Sequence, residues 1–306
     1  MVSFAPNADP KIIADAYEDQ GYVVIEKLIP EALVDDVLFA LEQAKTRRSA
    51  IYYSQSVHRW VKPRLSRHSY WIDSVENPTW HINLPRLRRA VMRILYHQNV
   101  SDMLLRISGR PSFISWQDML FDRSVGTIDH QDSWYLDTRP HGHLIAGWFS
   151  LEDIQPGSGP FFVYPKSHNL PRIDESSHPD HKAFLAEIKQ MLAASGLEKK
   201  SALLKKGDVL FWHPNLVHGA DSVEDERYSR KSLTSHYYPV GYLRKDSKSL
   251  ADDLQMMQQT DNPLIFRKGV PELSYVFKGH VKFLKDQLLN DHLPITDMNR
   301  DAYDDI

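Results

Sequence analysis

From residue 112 onwards the chain breaks into short aromatic and β-branched runs separated by turns, and this texture limits the fold more than any other feature. Runs at 112–121, 127–132, 144–152, 161–164, 208–212 and 231–238 read as strands. Pro156-Gly157-Ser158-Gly159-Pro160 is a turn cluster between two of them. One helical insert, at 179–195, interrupts the series. Strands this short and numerous, not alternating with helices, predict a sandwich or barrel rather than a doubly wound sheet. Helices are expected ahead of this core, at 11–19, after Pro30 (Leu33, Val37, Leu38 and Leu41 at helical spacing), at 87–96 and at 101–108, the last ended by Gly109 and Pro111. A strand at 21–26 lies among them, and the tail from 250 carries helical patches at 281–289. There is no internal repeat or low-complexity linker, so one continuous domain, 1–306, is expected.

Composition enters through what the chain lacks. With no Cys, thiolate catalysis, iron–sulfur clusters and Cys-based zinc sites are excluded. Any metal must be held by His, Asp, Glu or backbone, and 15 His make that worth testing. A net charge of −3 speaks against nucleic acid as a partner. No apolar stretch is long enough to span a bilayer, and the first residues show no secretory pattern, so a cytoplasmic protein without a membrane partner is expected.

The segment Asp129-His130-Gln131-Asp132 carries the chemistry. On a strand, His130 and Asp132 project from the same face, so an imidazole nitrogen and a carboxylate oxygen fit adjacent positions on one metal. His218, after the run Phe211-Trp212-His213-Pro214, is the candidate third ligand. Two His and one carboxylate form the facial triad of non-haem Fe(II) oxygenases, which leaves positions open for chemistry. Chance alone gives a chain with this many His about one His-x-Asp, and a second one exists at His178-Pro179-Asp180. That one sits in a polar run before a helix and reads as a surface loop. His141 and His143 read as loop residues as well, and His213 and His236 as hydrogen-bonded core or pocket residues.

In its motifs the sequence resembles the phytanoyl-CoA dioxygenase family of Fe(II)/2-oxoglutarate oxygenases. His130-Gln131-Asp132 matches the family's H-x-D motif in its HQD form. Trp148 to Asp153, then Ser158-Gly-Pro-Phe-Phe-Val-Tyr-Pro-Lys-Ser-His168, resembles its strand, turn and P-G-S-H stretch, with Lys166 where Gly is usual. Lys206 to Trp212 leads to His218 as in the family's last-ligand strand, and Tyr17 to Glu26 resembles its opening helix and strand. The likeness runs from about residue 10 to 240.

The resemblance implies a mainly β fold with flanking helices: a double-stranded β-helix, or jelly-roll, cupin-like barrel. Residues 1–110 would supply helical support and a basic lid, 111–240 the core, and 250–306 a helical extension. Fe(II), 2-oxoglutarate and O2 are the implied cofactors, with His130, Asp132 and His218 on the metal. The far carboxylate of 2-oxoglutarate needs a cation, and Arg suits it because its planar fork donates two parallel hydrogen bonds. Arg230 aligns with the family's Arg, twelve residues past His218, which implies a loop one residue longer than expected. Arg227 is the runner-up. Gln131, Trp148 and Met119 resemble co-substrate pocket residues, with core packing the alternative for Trp148 and Met119.

The implied activity is hydroxylation of an unactivated C–H bond of a small metabolite, releasing succinate and CO2. Desaturation, epoxidation and cyclisation share the ligand set, whereas halogenation is disfavoured because Asp132 is retained. A non-catalytic jelly-roll binding protein and a cupin-like metal hydrolase are the rival classes. Arg230 discriminates against the hydrolase, which needs no carboxylate clamp. Residues 43–72 hold no Asp or Glu but contain Lys45, Arg47, Arg48, Arg59, Lys62, Arg64 and Arg67 among Tyr and Trp. They read either as a lid for an anionic, CoA- or carrier-linked substrate or as a solvated basic loop.

Overall fold

The computed structural model of the chain describes residues 1–47, 50–173 and 180–290. Its core strands are β1 (Tyr22–Ile25), β2 (Phe113–Phe121), β3 (Thr127–His130), β4 (Ile145–Ser150), β5 (Phe161–Val163), β6 (Val209–Trp212), β7 (His218–Ala220) and β8 (Ser232–Pro239). The larger sheet runs β1-β6-β4-β8-β2 with short strands at both edges, and the smaller contains β5-β7-β3. β4, β6 and β8 are buried along their whole length, so both of their faces must be covered.

Side-chain alternation divides the covering. Ile145, Phe149, Phe211, Leu233 and Tyr237 belong to a core shared with α1 (Pro10–Gln20), α2 (Glu31–Lys45), α3 (Pro85–Leu95) and α4 (Gln98–Ser108). Ala146, Trp148, Leu210 and Trp212 project the other way and meet Phe161 and Val163 of the smaller sheet. Two facing sheets with helices on one outer face make the double-stranded β-helix architecture expected from the sequence, and the space between the sheets is where its site residues converge.

Three expectations need correcting. The run 127–132 is not strand throughout: β3 stops at His130, Gln131 is extended, and Asp132 opens a single helical turn, α5 (Asp132–Tyr135). The insert helix, α6 (His181–Ser195), starts after Asp180, whose carboxylate accepts from the Lys182 and Ala183 amides. His178, of the second His-x-Asp, lies outside the described residues.

The tail is not purely helical either. Between α7 (Leu250–Gln255) and α8 (Glu272–Asn290), Met257–Gln259 and Ile265–Lys268 form strands, and the latter extends the larger sheet parallel to β2. These runs are short and rich in Gln, Arg and Lys, so only tertiary pairing marks them as strands. The basic stretch folds in part as a hairpin, Tyr52–Ser54 with Arg59–Val61. Its Trp60 packs on Tyr275 of α8 at 5.1 Å. Close approach of that helix requires Gly279, where a Cβ would lie 2.5 Å or less from three indole atoms.

Candidate metal centre

His130 and His218 are direct cross-strand partners of the antiparallel β3–β7 pair, which sets their side chains next to each other on one face. Their ring centroids lie 4.3 Å apart. Gly219 permits this tight pairing, since a Cβ there would meet the Thr127 carbonyl oxygen at 2.5 Å. Each ring is oriented by its own backbone: His130 Nδ1 donates to the Ile128 carbonyl and His218 Nδ1 to the Leu216 carbonyl, both at 2.8 Å. That tautomer leaves both Nε2 lone pairs free as ligands.

Asp132 reaches the same point from α5. Its Oδ1 is 3.6 Å from His130 Nε2 and 3.4 Å from His218 Nε2. One ligand atom from each of the three residues falls within 4.8 Å of the others. Donors about 2.1 Å from a shared metal at right angles would be about 3 Å apart, close to the two separations from Asp132. The donor chemistry, two neutral imidazoles and one carboxylate, fits Fe(II).

Electrostatics favours the same protonation states. Burial works against the Asp132 charge, but His218 and His236 beside it hold the carboxyl well below its ordinary value. Burial pushes His218 below its ordinary value, against the pull of Asp132. His236 behaves oppositely: burial would lower it, and Asp132 raises it. Its Nδ1 faces the Gln117 carbonyl at 3.2 Å and its Nε2 faces Asp132 Oδ2 at 3.5 Å, so both nitrogens meet acceptors. Trp212 Nε1 donates to that same Oδ2 at 2.8 Å.

Arg230 is 2% exposed, and its Nε has no partner. Its guanidinium stacks over Phe121 at 4.9 Å and Trp148 at 5.8 Å, and Nη1 donates to the Ser232 hydroxyl. Burial lowers its pKa to about 10, which keeps it charged at neutral pH. Among the described residues no carboxylate lies within ion-pair distance of it, and that unspent hydrogen-bonding capacity suits a carboxylate ligand. Arg227, by contrast, is exposed and forked onto Asp225 at 2.6 to 3.0 Å.

The remaining sequence-derived residues divide. Trp148 stacks on Phe161 at 5.4 Å and shares a cross-strand row with Thr234 and Met119, so both candidates stand in the layer next to Arg230. Gln131 is fully buried. Its Nε2 donates to the Asn215 carbonyl at 2.7 Å, which ties it to the loop leading to His218.

Sequence reasoning left out the Trp212 and His236 contacts to Asp132, which become visible only once strand register is known. It also left out Tyr135, edge-on to His130 at 5.8 Å and hydrogen-bonded through its hydroxyl to His181. The basic stretch covers the Arg230 end. The Tyr70 hydroxyl donates to the Arg227 carbonyl, and the Trp71 amide donates to Asp122, whose own carbonyl accepts from the Arg230 amide.

The phytanoyl-CoA dioxygenase (PhyH) family model matches residues 17–232. Among curated proteins, the peroxisomal phytanoyl-CoA dioxygenase of Bos taurus is 26% identical over 112 residues, and that of Homo sapiens 27% over 114. Each match covers 35% of this chain and 32% of the relative, so the chain spans about a third of the length of the curated relatives it matches. Two solved structures share the fold. The epimerase SnoN in complex with Fe3+, alpha ketoglutarate and nogalamycin RO gives a TM-score of 0.59 at 18% identity, over 86% of this chain and 94% of that one. EctD from S. alaskensis with 2-oxoglutarate and 5-hydroxyectoine gives 0.54 at 20% identity, over 76% and 78%.

Proposed function

The chain belongs to the phytanoyl-CoA dioxygenase family, and from that premise we propose that it hydroxylates an unactivated C–H bond of a small metabolite. It is an oxidoreductase of the non-haem iron, 2-oxoglutarate-dependent class, consuming O2 and 2-oxoglutarate and releasing succinate and CO2. The observation that carries the reading is the convergence of half-buried His130 with buried Asp132 and His218, beside a buried Arg230 that meets no carboxylate among the described residues.

His130, Asp132 and His218 would hold Fe(II), which supplies dioxygen activation coupled to decarboxylation of the co-substrate. Arg230 would bind the far carboxylate of 2-oxoglutarate, its planar fork fixing the molecule's long axis. Phe121 and Trp148 flank that carboxylate site and exclude water, which strengthens the ion pair. Met119 lines the same layer. Gln131 would steady the loop that carries His218. Residues 1–306 act as one oxygenase domain in this reading, supported by the packing of α1–α4 on the larger sheet.

No described helix is long and apolar enough to cross a membrane. We read the enzyme as cytoplasmic, and a tagged protein that sediments with peroxisomes would reverse that. A phosphorylated or CoA-linked substrate is the finer reading of the basic stretch. Cyclisation, desaturation or epoxidation on the same ligand set is the second reading for the reaction, and the solved relative SnoK is described as a carbocyclase. Product mass decides between two of these outcomes: gain of one oxygen for hydroxylation, loss of two hydrogens for desaturation.

The test is anaerobic titration with Fe(II) and 2-oxoglutarate. A weak visible charge-transfer band is expected in the native protein and should be lost in Asp132→Ala, with succinate release falling to background. No band in the native protein, or an undiminished one in the variant, would defeat the assignment.

A further inference from the structure

We propose that Trp212, Ala146 and His236 form a socket that fixes Asp132 as a one-oxygen metal ligand. The inference rests on the metal-centre reading above and adds positioning residues to it. In the larger sheet Ala146 is the cross-strand partner of both Trp212 and His236, so the three form one row on the inner face. The indole and imidazole centroids stand 6.1 Å apart, and between them in the row is only a methyl group. A small residue flanked by two large ones leaves a recess, and the Asp132 carboxylate bridges its two walls.

The two carboxylate oxygens have separate partners. Oδ2 accepts from Trp212 Nε1 at 2.8 Å and faces His236 Nε2 at 3.5 Å. Oδ1 faces the two imidazole ligands at 3.4 and 3.6 Å. An indole N–H only donates, so it holds Oδ2 turned toward the larger sheet. Released from that hold, the carboxylate is free to rotate and chelate with both oxygens, taking a position that co-substrate or O2 needs. Partners behind a ligand also set its affinity for the metal, typically by about 10- to 100-fold.

Titration of the metal-free protein with Co(II) alone, followed by its visible absorption, tests the socket without turnover. Trp212→Phe keeps the ring bulk and removes the N–H, and His236→Leu removes the second donor. Each should weaken Co(II) binding by about 10-fold or more and change the absorption spectrum. His236→Gln, which retains an N–H donor, should recover most of the loss. Ala146→Val should weaken binding by filling the recess. Thermal unfolding of the metal-free variants separates these effects from misfolding, and the two donors are removed in separate chains so that either suffices.

Native protein that takes up no Co(II) would overturn the metal-centre reading and the socket with it. Native protein that binds, while Trp212→Phe and His236→Leu bind within about a factor of two and with an unchanged spectrum, overturns the socket alone.

Discussion

Arg230 and the cations of the 45–71 stretch carry the same charge in opposite circumstances. Arg230 is buried against Phe121 and Trp148 and meets no carboxylate among the described residues. Lys45, with its side chain 5% exposed, lies 2.6 Å from Asp122, and Arg64 lies 2.5 Å from the buried Asp73. Arg67 pairs with Glu226 at 3.1 Å. The stretch is basic in sequence because its carboxylate partners come from elsewhere in the chain, not because all its charge awaits a ligand. A dense run of cations is therefore a poorer guide to recognition than one cation whose burial is uncompensated.

The strongest way to break that contrast is to exchange the arginines' fates. Arg230→Met should raise the 2-oxoglutarate KM by about 100-fold, since a lost bidentate charge-assisted contact is worth about 3 kcal/mol. Arg227→Met, three residues away, should leave it within about twofold, because that guanidinium is exposed and already held by Asp225. Initial rates of succinate release against 2-oxoglutarate concentration decide it. The contrast collapses if the two variants respond alike or in reverse.

Arg64 sharpens the other side. Removing it leaves the Asp73 carboxylate, 2% exposed on its side chain, without its forked partner. Breaking a fully buried pair costs about 3–5 kcal/mol, and partial exposure of Arg64 reduces this to about 1–2 kcal/mol. Urea unfolding of Arg64→Ala should show that loss, with the 2-oxoglutarate KM unchanged. A kinetic defect without a stability defect would move Arg64 from scaffold to site.

Acid probes how the stretch is fastened. His81 is fully buried, edge-on to Trp60 at 5.5 Å, and burial lowers its pKa from 6.5 to about 4. The unfolded chain takes up a proton below pH 6.5 that the folded one refuses, so this contribution is complete above that pH and is lost as pH falls toward 4. The loss is about 1.4 kcal/mol per pH unit across that window. Urea midpoints at pH 7, 6 and 5 should fall less steeply in His81→Asn. An unchanged slope would show that His81 is not the group that titrates.

The candidate ligands His130, Asp132 and His218 were legible from the H-x-D spacing together with the family resemblance around it, and the structure brings the three together. Gln131 resembled a co-substrate pocket residue in sequence, and its contact with the Asn215 carbonyl could not be read because the two lie 84 residues apart. Trp212 and His236 could not be read as a pair, because their common neighbour Ala146 is fixed by register across three strands. The strands at Met257–Gln259 and Ile265–Lys268 were hidden by their polar residues, which owe their place to β2 rather than to any pattern of their own. The fate of the basic stretch was illegible for the same reason: Asp73, Asp122 and Glu226 lie outside it in sequence.

Arg59 and Lys62 meet no carboxylate among the described residues, so they are where the anionic-substrate reading survives. Lys62 sits over the Phe283 ring at 5.5 Å. Arg59→Ala and Lys62→Ala should each raise the KM of an anionic substrate by a few-fold, because a charge screened by solvent contributes about 1 kcal/mol or less. The two must be changed without Arg64, whose loss acts on Asp73 and would mix instability with recognition. The 2-oxoglutarate KM serves as the internal control, since Arg230, the clamp proposed for that carboxylate, stands at a separate, buried position. If the KM of a CoA-linked substrate does not move while that of 2-oxoglutarate stays constant, the stretch is scaffold along its described length. The substrate's charge, if it has one, would then have to be met elsewhere.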